Sequence, residues 1–426
     1  MKKALFILLI PYMAIAQGYT SYFTGNSVNS TAAPEFGICL MGGATEHDEA
    51  MKWLLRKANG GDVVVLRSSG TDGYNDYLYS ELGIHVNSVE TLVITSVAGA
   101  ENPYVLDKVA NAEMIWFAGG DQFNYVSYFR DSALGDLLNA YINIKKGPIG
   151  GTSAGMAILG GKYFSAQNGS VTSAEALNNP YNTKVRIGVN DFLQVPFLQN
   201  VITDSHYDNP DRRGRQSVFL ARLKNDLAID VKGIACNEYV AVCIGNDGMA
   251  HVYGDYPNYD EFAYFIQGNC ANDGNVENCT PNQPLTWNYN GQALKVYKVP
   301  GTMNGTNYFD LNDWEAAEGS GGSWQNWSVN NGVFTAVSGS RPDCALAAND
   351  FSIEKPEFVP NPFADYLYLN NPDEAIITIY DMQGRIVHQK NYTAGATINT
   401  ITFAKGFYTA KIESDGKTTV RKMVKK

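Results

Sequence analysis

The chain has 426 residues, of which 45% are hydrophobic, 12% aromatic and 18% charged. Its 32 lysines and arginines are outnumbered by 43 acidic side chains, which gives a formal net charge of -11. A chain of this length forms two or three domains and has enough apolar material for a large core. An acidic surface argues against nucleic acid as the main partner, because proteins that bind phosphate backbones present a basic face.

The amino terminus has the pattern of a secretory signal peptide. Met-Lys-Lys at residues 1–3 is followed by a short apolar run at 4–10 and by Ala-Ile-Ala at 14–16, the small-x-small pattern of a cleavage site. The apolar run is too short to span a bilayer. We therefore expect residues 1–16 to be removed and the mature protein to be exported and soluble.

Apolar strands alternate with amphipathic helices in the first part of the chain. After a loose lead-in at 18–35, the predicted strands are 37–41, 62–66, 91–95, 114–118 and a short strand from 148, and the predicted helices are 45–58, 75–82, 103–112 and 124–144. Strands without polar alternation indicate a parallel sheet that helices cover on both faces. The predicted fold class is α/β, with a doubly wound, mostly parallel sheet that binds ligands at the carboxyl ends of its strands.

The pattern loosens beyond residue 165. The sequence predicts loops at 165–195, a short strand at 201–203, a helix at 218–223, and one continuous strand at 233–243 that a hairpin turn at 246–248 joins to a strand at 249–254. Aromatic and polar residues at 255–293 show no helical period, and further β-structure is expected at 294–340.

The segment Gly151-Thr152-Ser153-Ala154-Gly155 fits the nucleophile elbow, a sharp strand-to-helix turn that exposes a serine hydroxyl at the end of a sheet. Only small residues fit beside such a turn, because a larger side chain would collide with the neighbouring backbone. The backbone amide of Ala154 would point into the same space and could stabilise an oxyanion. The alternative is a glycine-rich turn that only packs closely.

A serine nucleophile needs a base, and the base needs an acid that orients it. Of five histidines, His206 has the best setting, since it follows a short strand beyond Ser153. Glu238 lies inside the apolar predicted strand 233–243, where a buried carboxylate requires a partner. Asp204 is the competing acid. The order Ser, His, Glu differs from the Ser, Asp or Glu, His order of α/β-hydrolases.

Five segments in this order resemble the motifs of cyanophycinases and of their relatives, the peptidase E aspartyl dipeptidases. They are Phe117-Ala118-Gly119-Gly120-Asp121-Gln122, the elbow at 151–155, Asp204-Ser205-His206-Tyr207, Arg213-Gly214-Arg215 and Asn237-Glu238-Tyr239-Val240-Ala241. The resemblance runs from about residue 36 to 255 and continues more weakly to about 340. It implies a class I glutamine-amidotransferase-like fold and a serine peptidase.

The resemblance also implies a role for each matching residue. Ser153 would attack, His206 would transfer the proton and Glu238 would orient the histidine, with the amides of Gly120 and Ala154 as oxyanion donors. The residues implied in the substrate pocket are Gln122, Asp204, Arg213 and Arg215. No metal or organic cofactor is required, because hydroxyl, imidazole and amides suffice. The implied substrate is cyanophycin, with its β-linked Asp-Arg units, or another acidic or isoaspartyl peptide, and a homodimer is an option.

The chain departs from the family pattern in the specificity region. Ser205 replaces a glutamine, residues 209–211 are an apparent insertion, and Val218 stands where the family expects an arginine. These changes weaken cyanophycin as the substrate more than they weaken hydrolysis. Two other functions therefore stay open: an exported binding or surface protein on a non-catalytic version of the fold, favoured if the three residues do not converge, and an esterase or amidase, favoured by a pocket without Arg213 and Arg215.

Six cysteines are present, and an exported protein can form disulfides. Cys270 and Cys279 share a polar loop and are the predicted pair, whereas Cys39 lies in an apolar strand and is expected to be a small core residue. The absence of a Cys-x-x-Cys motif leaves zinc and redox sites without support.

The tail, from about residue 354, has the alternation of a small β-sandwich. Pro360-Asn361-Pro362, Ile379-Tyr380-Asp381, Gly384-Arg385, Gly406-Phe407-Tyr408 and a basic end resemble the C-terminal sorting domain of the type IX secretion system of Bacteroidetes. The resemblance implies that the secretion machinery is a partner and that the protein is secreted or attached to the outer membrane. The predicted organisation is a signal peptide at 1–16, a peptidase domain at 17–350 and a sorting domain at 351–426.

Overall fold

The computed structural model describes residues 17–314, 319–344, 357–370, 374–393, 396–414 and 417–426. The predicted signal peptide at 1–16 lies outside the described residues. The chain divides into two compact units, Met1–Leu346 and Ala347–Lys426.

The strands of the first unit form two sheets. In chain order they are β1 (Tyr19–Gly25), β2 (Ile38–Met41), β3 (Asp62–Arg67), β4 (Ser88–Ile94), β5 (Met114–Phe117), β6 (Ile149–Thr152), β7 (Lys162–Phe164), β8 (Ile187–Val189), β9 (Val201–Asp204), β10 (Lys232–Cys236), β11 (Ala241–Ile244), β12 (Met249–Tyr253), β13 (Phe262–Gly268), β14 (Leu294–Pro300), β15 (Asn307–Asp310), β16 (Gly319–Ser320), β17 (Ser323–Asn330) and β18 (Val333–Ser338).

The helices of this unit connect and cover the sheets. The α-helices are α1 (Asp48–Lys57), α2 (Val97–Ala100), α3 (Pro103–Asn111), α4 (Gln122–Phe129), α5 (Ala133–Ala140), α6 (Ala154–Ala157), α7 (Ser173–Asn178) and α8 (Arg213–Leu227); π-helical turns lie at Tyr77–Glu81 and Tyr141–Lys145, and 3-10 turns at Cys270–Asn272 and Tyr289–Gly291. None of the helices in the described part of the chain is long and apolar enough to cross a membrane.

The first sheet has the order β1-β4-β3-β5-β6-β2-β11-β12-β15-β16. Its five strands from β4 to β2 are parallel, whereas β1 and the strands from β11 to β16 pair antiparallel. The second sheet has the order β18-β17-β14-β13-β10-β9-β7-β8, and β10, β9 and β7 are parallel. The predicted α/β class with a parallel core is confirmed, with two sheets and antiparallel extensions.

The largest apolar core joins the two sheets. It includes Leu40 and Phe117 of the first sheet together with Ile234 and Phe265 of the second, all buried. A separate buried cluster packs helix α1 onto the opposite face of the first sheet. Both faces of the parallel core are therefore covered, which is why its strands read as continuous apolar runs.

Several predicted elements differ from the observed ones. The loops predicted at 165–195 contain helix α7 and strand β8, and the helix predicted at 218–223 is part of the longer α8. Residues 19–25 are not a loose lead-in but an antiparallel edge strand on β4. The predicted helix 124–144 is broken, because the extended residue Ser132 ends one helix and caps the next through its hydroxyl, which accepts the N–H of Gly135. The predicted strand 233–243 is two strands in different sheets, separated by a turn that contains Glu238.

The predicted disulfide Cys270–Cys279 is wrong, because Cys270 is bonded to Cys344. Cys279 is a buried free thiol that belongs to an apolar cluster with Leu285 and Trp287. Sequence proximity in a polar loop therefore gave the wrong partner for Cys270. Cys39 is fully buried, as expected of a core residue.

The second unit contains antiparallel sheets, as predicted for the tail. Its strands are β19 (Glu357–Val359), β20 (Tyr366–Asn370), β21 (Glu374–Tyr380), β22 (Ile386–Thr393), β23 (Ile398–Asn399), β24 (Gly406–Ser414) and β25 (Lys417–Lys425). One sheet has the order β19-β20-β23 and the other β22-β21-β24-β25. Phe363, Leu367, Ile377 and Ile412 are buried in a common core of this unit.

Candidate active site

Ser153 stands at the turn between β6 and α6, at the carboxyl end of a central parallel strand. Its φ of 53° and ψ of -111° lie outside the regions that residues with a side chain prefer. The turn is closed by close backbone packing, since a Cβ on Gly151 would lie 2.6 Å from the carbonyl carbon of Gly155. The glycines therefore allow the strained serine conformation that the elbow motif predicts.

A chain of two hydrogen bonds links Ser153, His206 and Glu238. Ser153 Oγ lies 2.8 Å from His206 Nε2. His206 Nδ1 lies 2.6 Å from Glu238 Oε1. Because a carboxylate only accepts hydrogen bonds, Nδ1 is the donor in this contact, and in the tautomer with its one proton on Nδ1 the Nε2 atom can accept from the serine hydroxyl. The structure thus brings together three residues that the sequence separates by 53 and 32 positions.

The end of strand β2 and the two glycines that follow it hold all three segments in place. Three successive carbonyls each accept one backbone N–H: Met41 O from Ser153 (3.0 Å), Gly42 O from His206 (2.7 Å) and Gly43 O from Tyr239 (3.0 Å). The backbones of His206 and Tyr239 both have positive φ, 47° and 64°. Strained residues thus cluster where the three side chains meet, and the carbonyls of residues 41–43 hold their backbones there.

Glu238 receives further support from Asp208 and from Asn209, the first residue of the apparent insertion. Asp208 Oδ1 accepts the N–H of Glu238 at 2.9 Å, and Asn209 Nδ2 donates to Glu238 Oε2 at 3.3 Å. The hydrogen bond from His206 lowers the pKa of Glu238. The carboxylate is therefore ionised at neutral pH, and each of its oxygens has a donor.

A cleft of about 230 Å³ opens beside Ser153 and His206. Of the residues that the family resemblance implies at the site, those in its lining are Gly120, Gln122, Ala154, Asp204 and Arg215. Gln122 Nε2 donates to the carbonyl of Phe164, another lining residue, at 3.3 Å. The cleft therefore combines residues from the ends of β5, β6 and β9 with the start of α8.

Among the backbone amides at the cleft, those of Gly120 and Ala154 have no hydrogen-bond acceptor within the described residues. Ala154 is the first residue of helix α6, where an N–H has no partner within the helix. The glycine loop lies against the serine, because a Cβ on Gly119 would be 4.0 Å from Ser153 Oγ. Gly120 and Ala154 thus share the lining of the cleft with Ser153 and keep unused backbone donors.

Asp204 and Arg215 form an ion pair in the wall of the cleft. Arg215 Nε lies 2.8 Å from Asp204 Oδ2, and Nη2 lies 2.5 Å from Oδ1. Both residues are only 3% exposed. Arg215 Nη1 also donates to Ser170 Oγ and to the carbonyl of Val171. The two predicted substrate contacts therefore satisfy each other and form a nearly neutral wall.

Arg213 lies outside the lining of this cleft. Its guanidinium makes two hydrogen bonds to Asp211, at 2.9 and 2.6 Å, and lies over the ring of Phe334. Helix α8 begins at Arg213, and the contacts with Asp211 and Phe334 hold the guanidinium outside this lining.

Arg212 lines the cleft instead, although it is not among the residues predicted from the sequence. Its Nη1 donates to the carbonyl of Ser205 at 2.9 Å and lies 3.8 Å from Asp204 Oδ1. Its buried Nε has no partner among the described residues. Burial lowers the pKa of Arg212, and the charge of Arg215 adds to this effect. The basic run at 212–215 was the available signal, but it does not show which arginine faces the serine.

Nothing in the described residues groups three or more His, Cys, Asp or Glu side chains as a metal site would. The α/β unit is thus defined by a serine, histidine and glutamate in hydrogen-bond contact beside a cleft with one arginine in excess.

Residues 357–426 match the family of secretion system C-terminal sorting domains. The protein is therefore exported by the type IX secretion system of Bacteroidetes, to the cell surface or beyond it. The secretion machinery is accordingly a partner of the chain.

The α/β unit is similar to cyanophycinases. The chain is 23% identical over 187 residues to the cyanophycinase of Geminocystis herdmanii, which covers 43% of this chain and 64% of that protein. It is 28% identical over 183 residues to the cyanophycinase of Synechococcus elongatus, covering 42% and 50%. The matches thus span between 50% and 64% of the length of these relatives.

Among solved structures, the chain resembles the crystal structure of a peptidase from an acI-B1 Actinobacterium. The likeness covers 54% of this chain and 94% of that one, at 16% identity and a TM-score of 0.39.

Proposed function

We propose that the α/β unit is a secreted serine-type peptidase of the cyanophycinase kind. The observation that carries this proposal is the hydrogen-bonded chain from Ser153 through His206 to Glu238. The partial similarity to cyanophycinases supports the proposal as a second observation. The alternative of a binding protein on a non-catalytic version of the fold does not require contact between these three side chains.

In the proposed mechanism, Ser153 Oγ attacks the scissile carbonyl carbon while His206 Nε2 takes the hydroxyl proton. Glu238 accepts the hydrogen bond from the Nδ1–H of His206 and stabilises the imidazolium that forms. The amides of Gly120 and Ala154 would donate to the oxyanion. His206 then gives its proton to the leaving amine, and an acyl group remains on Ser153. Water, deprotonated by the same histidine, releases the acyl group and restores the serine.

The charges of the cleft support a substrate with a carboxylate close to the scissile bond. Asp204 and Arg215 neutralise each other, whereas Arg212 lines the same cleft and donates to the backbone carbonyl of Ser205. A guanidinium binds a carboxylate with charge-assisted hydrogen bonds. We therefore propose peptides linked through aspartate, either the β-Asp-Arg units of cyanophycin or isoaspartyl peptides. The esterase or amidase alternative requires a cleft without Arg213 and Arg215, and the lining contains Arg215.

The test is the release of arginine–aspartate dipeptide from cyanophycin by the mature protein, with isoaspartyl dipeptides assayed in parallel and Ser153→Ala as the control. Release by the wild type and none by the variant would support both mechanism and substrate. A serine adduct with a fluorophosphonate, but no cyanophycin turnover, would keep the peptidase and reject cyanophycin. If neither signal occurred, the exported binding protein would become the better account.

The neighbouring arginines offer a matched test of the substrate class. Arg212→Met removes the cation in the cleft, and Arg213→Met removes one outside it. We expect Arg212→Met to raise KM for an acidic peptide by roughly 10- to 100-fold, the value of a hydrogen bond to a charged group. Arg213→Met should leave KM unchanged, and equal effects would argue against recognition by Arg212.

A further inference from the structure

Two buried thiols face each other across strands β2 and β11. Cys39 and Cys243 are direct cross-strand partners in the antiparallel pairing, and both are fully buried. Their Sγ atoms lie 3.7 Å apart. Neither thiol is part of the candidate active site.

The hydrogen-bond pattern shows which kind of pair they form. The N–H of Gly42 donates to the carbonyl of Val240, so these residues are a hydrogen-bonded pair of the ladder. Hydrogen-bonded and non-hydrogen-bonded pairs alternate along an antiparallel ladder. Cys39 and Cys243 lie three steps further along and are therefore a non-hydrogen-bonded pair. In agreement, the backbone of Met41, two residues from Cys39, is directed toward β6, since its carbonyl accepts the N–H of Ser153.

A non-hydrogen-bonded pair is the closer of the two arrangements. Its Cα atoms are about 4.5 Å apart, which lies inside the range of about 4.4–6.8 Å found for disulfides. The strands therefore already supply the backbone separation of a disulfide, and only side-chain rotation separates the two sulfurs from bonding distance.

We propose that Cys39 and Cys243 are joined by a disulfide in the exported protein. The sorting domain takes the chain out of the reducing cytoplasm, and Cys270 and Cys344 are already bonded. The oxidant would be a protein disulfide of the cell envelope. One thiolate attacks this disulfide, forms a mixed disulfide and releases one thiol of the oxidant. The second cysteine then attacks the mixed disulfide, forms the Cys39–Cys243 bond and releases the other thiol, so that the oxidant takes up two electrons and two protons.

The bond forms during folding rather than afterwards. Burial raises the pKa of the Cys243 thiol well above its usual range, so the attacking thiolate is scarce once the sheet has closed. The product would tie β2 to β11, the strands that lead into Gly43 and away from Glu238. The proposal does not depend on the proposed peptidase activity.

The test is peptide mapping of the full chain, exported from a bacterial host and denatured without reductant in N-ethylmaleimide. We expect Cys39 and Cys243 in one linked peptide, with Cys236 and Cys279 alkylated. Cys236 is the matched control, since it is equally buried but pairs with Ala263 across its strand. The Cys270–Cys344 link verifies that oxidation took place.

Alkylation of both Cys39 and Cys243 in a sample that keeps the Cys270–Cys344 link would overturn the proposal, as would a link between Cys39 and Cys236. A Cys39→Ser variant adds a second readout. If the pair is bonded, Cys243 becomes open to alkylation only in this variant, while the other bond persists.

Discussion

The α-carbon of Gly43 lies directly against the imidazole ring of His206. A Cβ atom at this position would overlap the Nε2 and Cε1 atoms of the ring. The same residue accepts the N–H of Tyr239 and has a φ of 110°, which side chains rarely allow. Gly43 thus sets both the space of the proposed base and the position of the turn that carries the proposed acid.

Substitution of Gly43→Ala should therefore damage activity more than stability. The added methyl group must displace the ring from Ser153, and a displacement of 1 Å can cost about 10²-fold in rate. We expect kcat to fall by about this factor, measured with any peptide or ester that the wild type cleaves.

The matched control is Gly83→Ala. Gly83 also has positive φ, 68°, but nothing lies within 4 Å of a Cβ there. The Gly83→Ala variant should be less stable than the wild type, because alanine disfavours positive φ, but its kcat should be unchanged. Equal kcat losses in both variants would show that backbone strain, and not contact with His206, is responsible.

Replacement of Glu238→Gln should lower kcat by about 10⁴-fold, the effect of the equivalent change in a serine–histidine–aspartate triad. The amide cannot stabilise an imidazolium and permits the wrong tautomer of His206. Asn209→Ala removes only the weaker contact to the second oxygen, at 3.3 Å, and should cost far less. A Glu238→Gln enzyme with near wild-type kcat would remove the acid from the proposed mechanism.

The buried pair of Asp204 and Arg215 should be important for stability. Asp204→Asn leaves an uncompensated buried guanidinium, which costs about 3–5 kcal/mol in the free energy of unfolding. Asp211→Asn weakens the ion pair with Arg213. The side chain of Arg213 is 36% exposed and that of Asp211 is 50% exposed, so the change should cost at most about 1 kcal/mol in the free energy of unfolding. Urea unfolding of both variants measures the difference, and similar losses would contradict the assignment.

The turn that precedes α7 should make stability depend on acid pH. Glu175 accepts a hydrogen bond from Lys184, and its other oxygen accepts the N–H of Thr172 in a capping box. The Lys184 contact, with the backbone bond from Thr172, lowers the pKa of Glu175 from 4.5 to about 2. Because the folded-state pKa is the lower one, this stabilisation is complete above pH 4.5 and disappears as the pH falls toward 2.

Glu175→Gln should accordingly unfold at lower urea concentration than the wild type at pH 6, and the gap should close between pH 4.5 and 2. Lys184→Met, which removes the main donor, should show the same closing gap. A gap that stays constant with pH would mean that the carboxylate charge plays no part.

The parallel core and the three residues Ser153, His206 and Glu238 could each be predicted from a different feature of the sequence. Continuous apolar runs identify strands that are covered on both faces, and the elbow motif is local in sequence. Histidine is scarce in this chain, which left His206 with few competitors. Glu238 was identified as a carboxylate that needed a partner, although it lies at a turn between sheets and not inside one strand.

The errors concern features that only the folded chain decides. Strand β1 pairs with residues about 70 positions away, and its own residues are polar and aromatic. Whether Arg212 or Arg213 faces the cleft depends on the residue at which α8 begins. The partner of Cys270 is 74 residues away, whereas Cys279 is held in an apolar core. A local sequence pattern specifies neither the pairing of β1, nor the first residue of α8, nor the partner of Cys270.

The most direct test of the central claim is the site and rate of fluorophosphonate labelling in the folded full-length protein. If His206 activates Ser153, the adduct forms on Ser153 and forms at least about 10²-fold more slowly in His206→Ala, since a general base contributes this much or more. Ser205→Ala, a change in the neighbouring serine of the cleft, should label like the wild type. No adduct on Ser153, or equal rates with and without His206, would contradict the account.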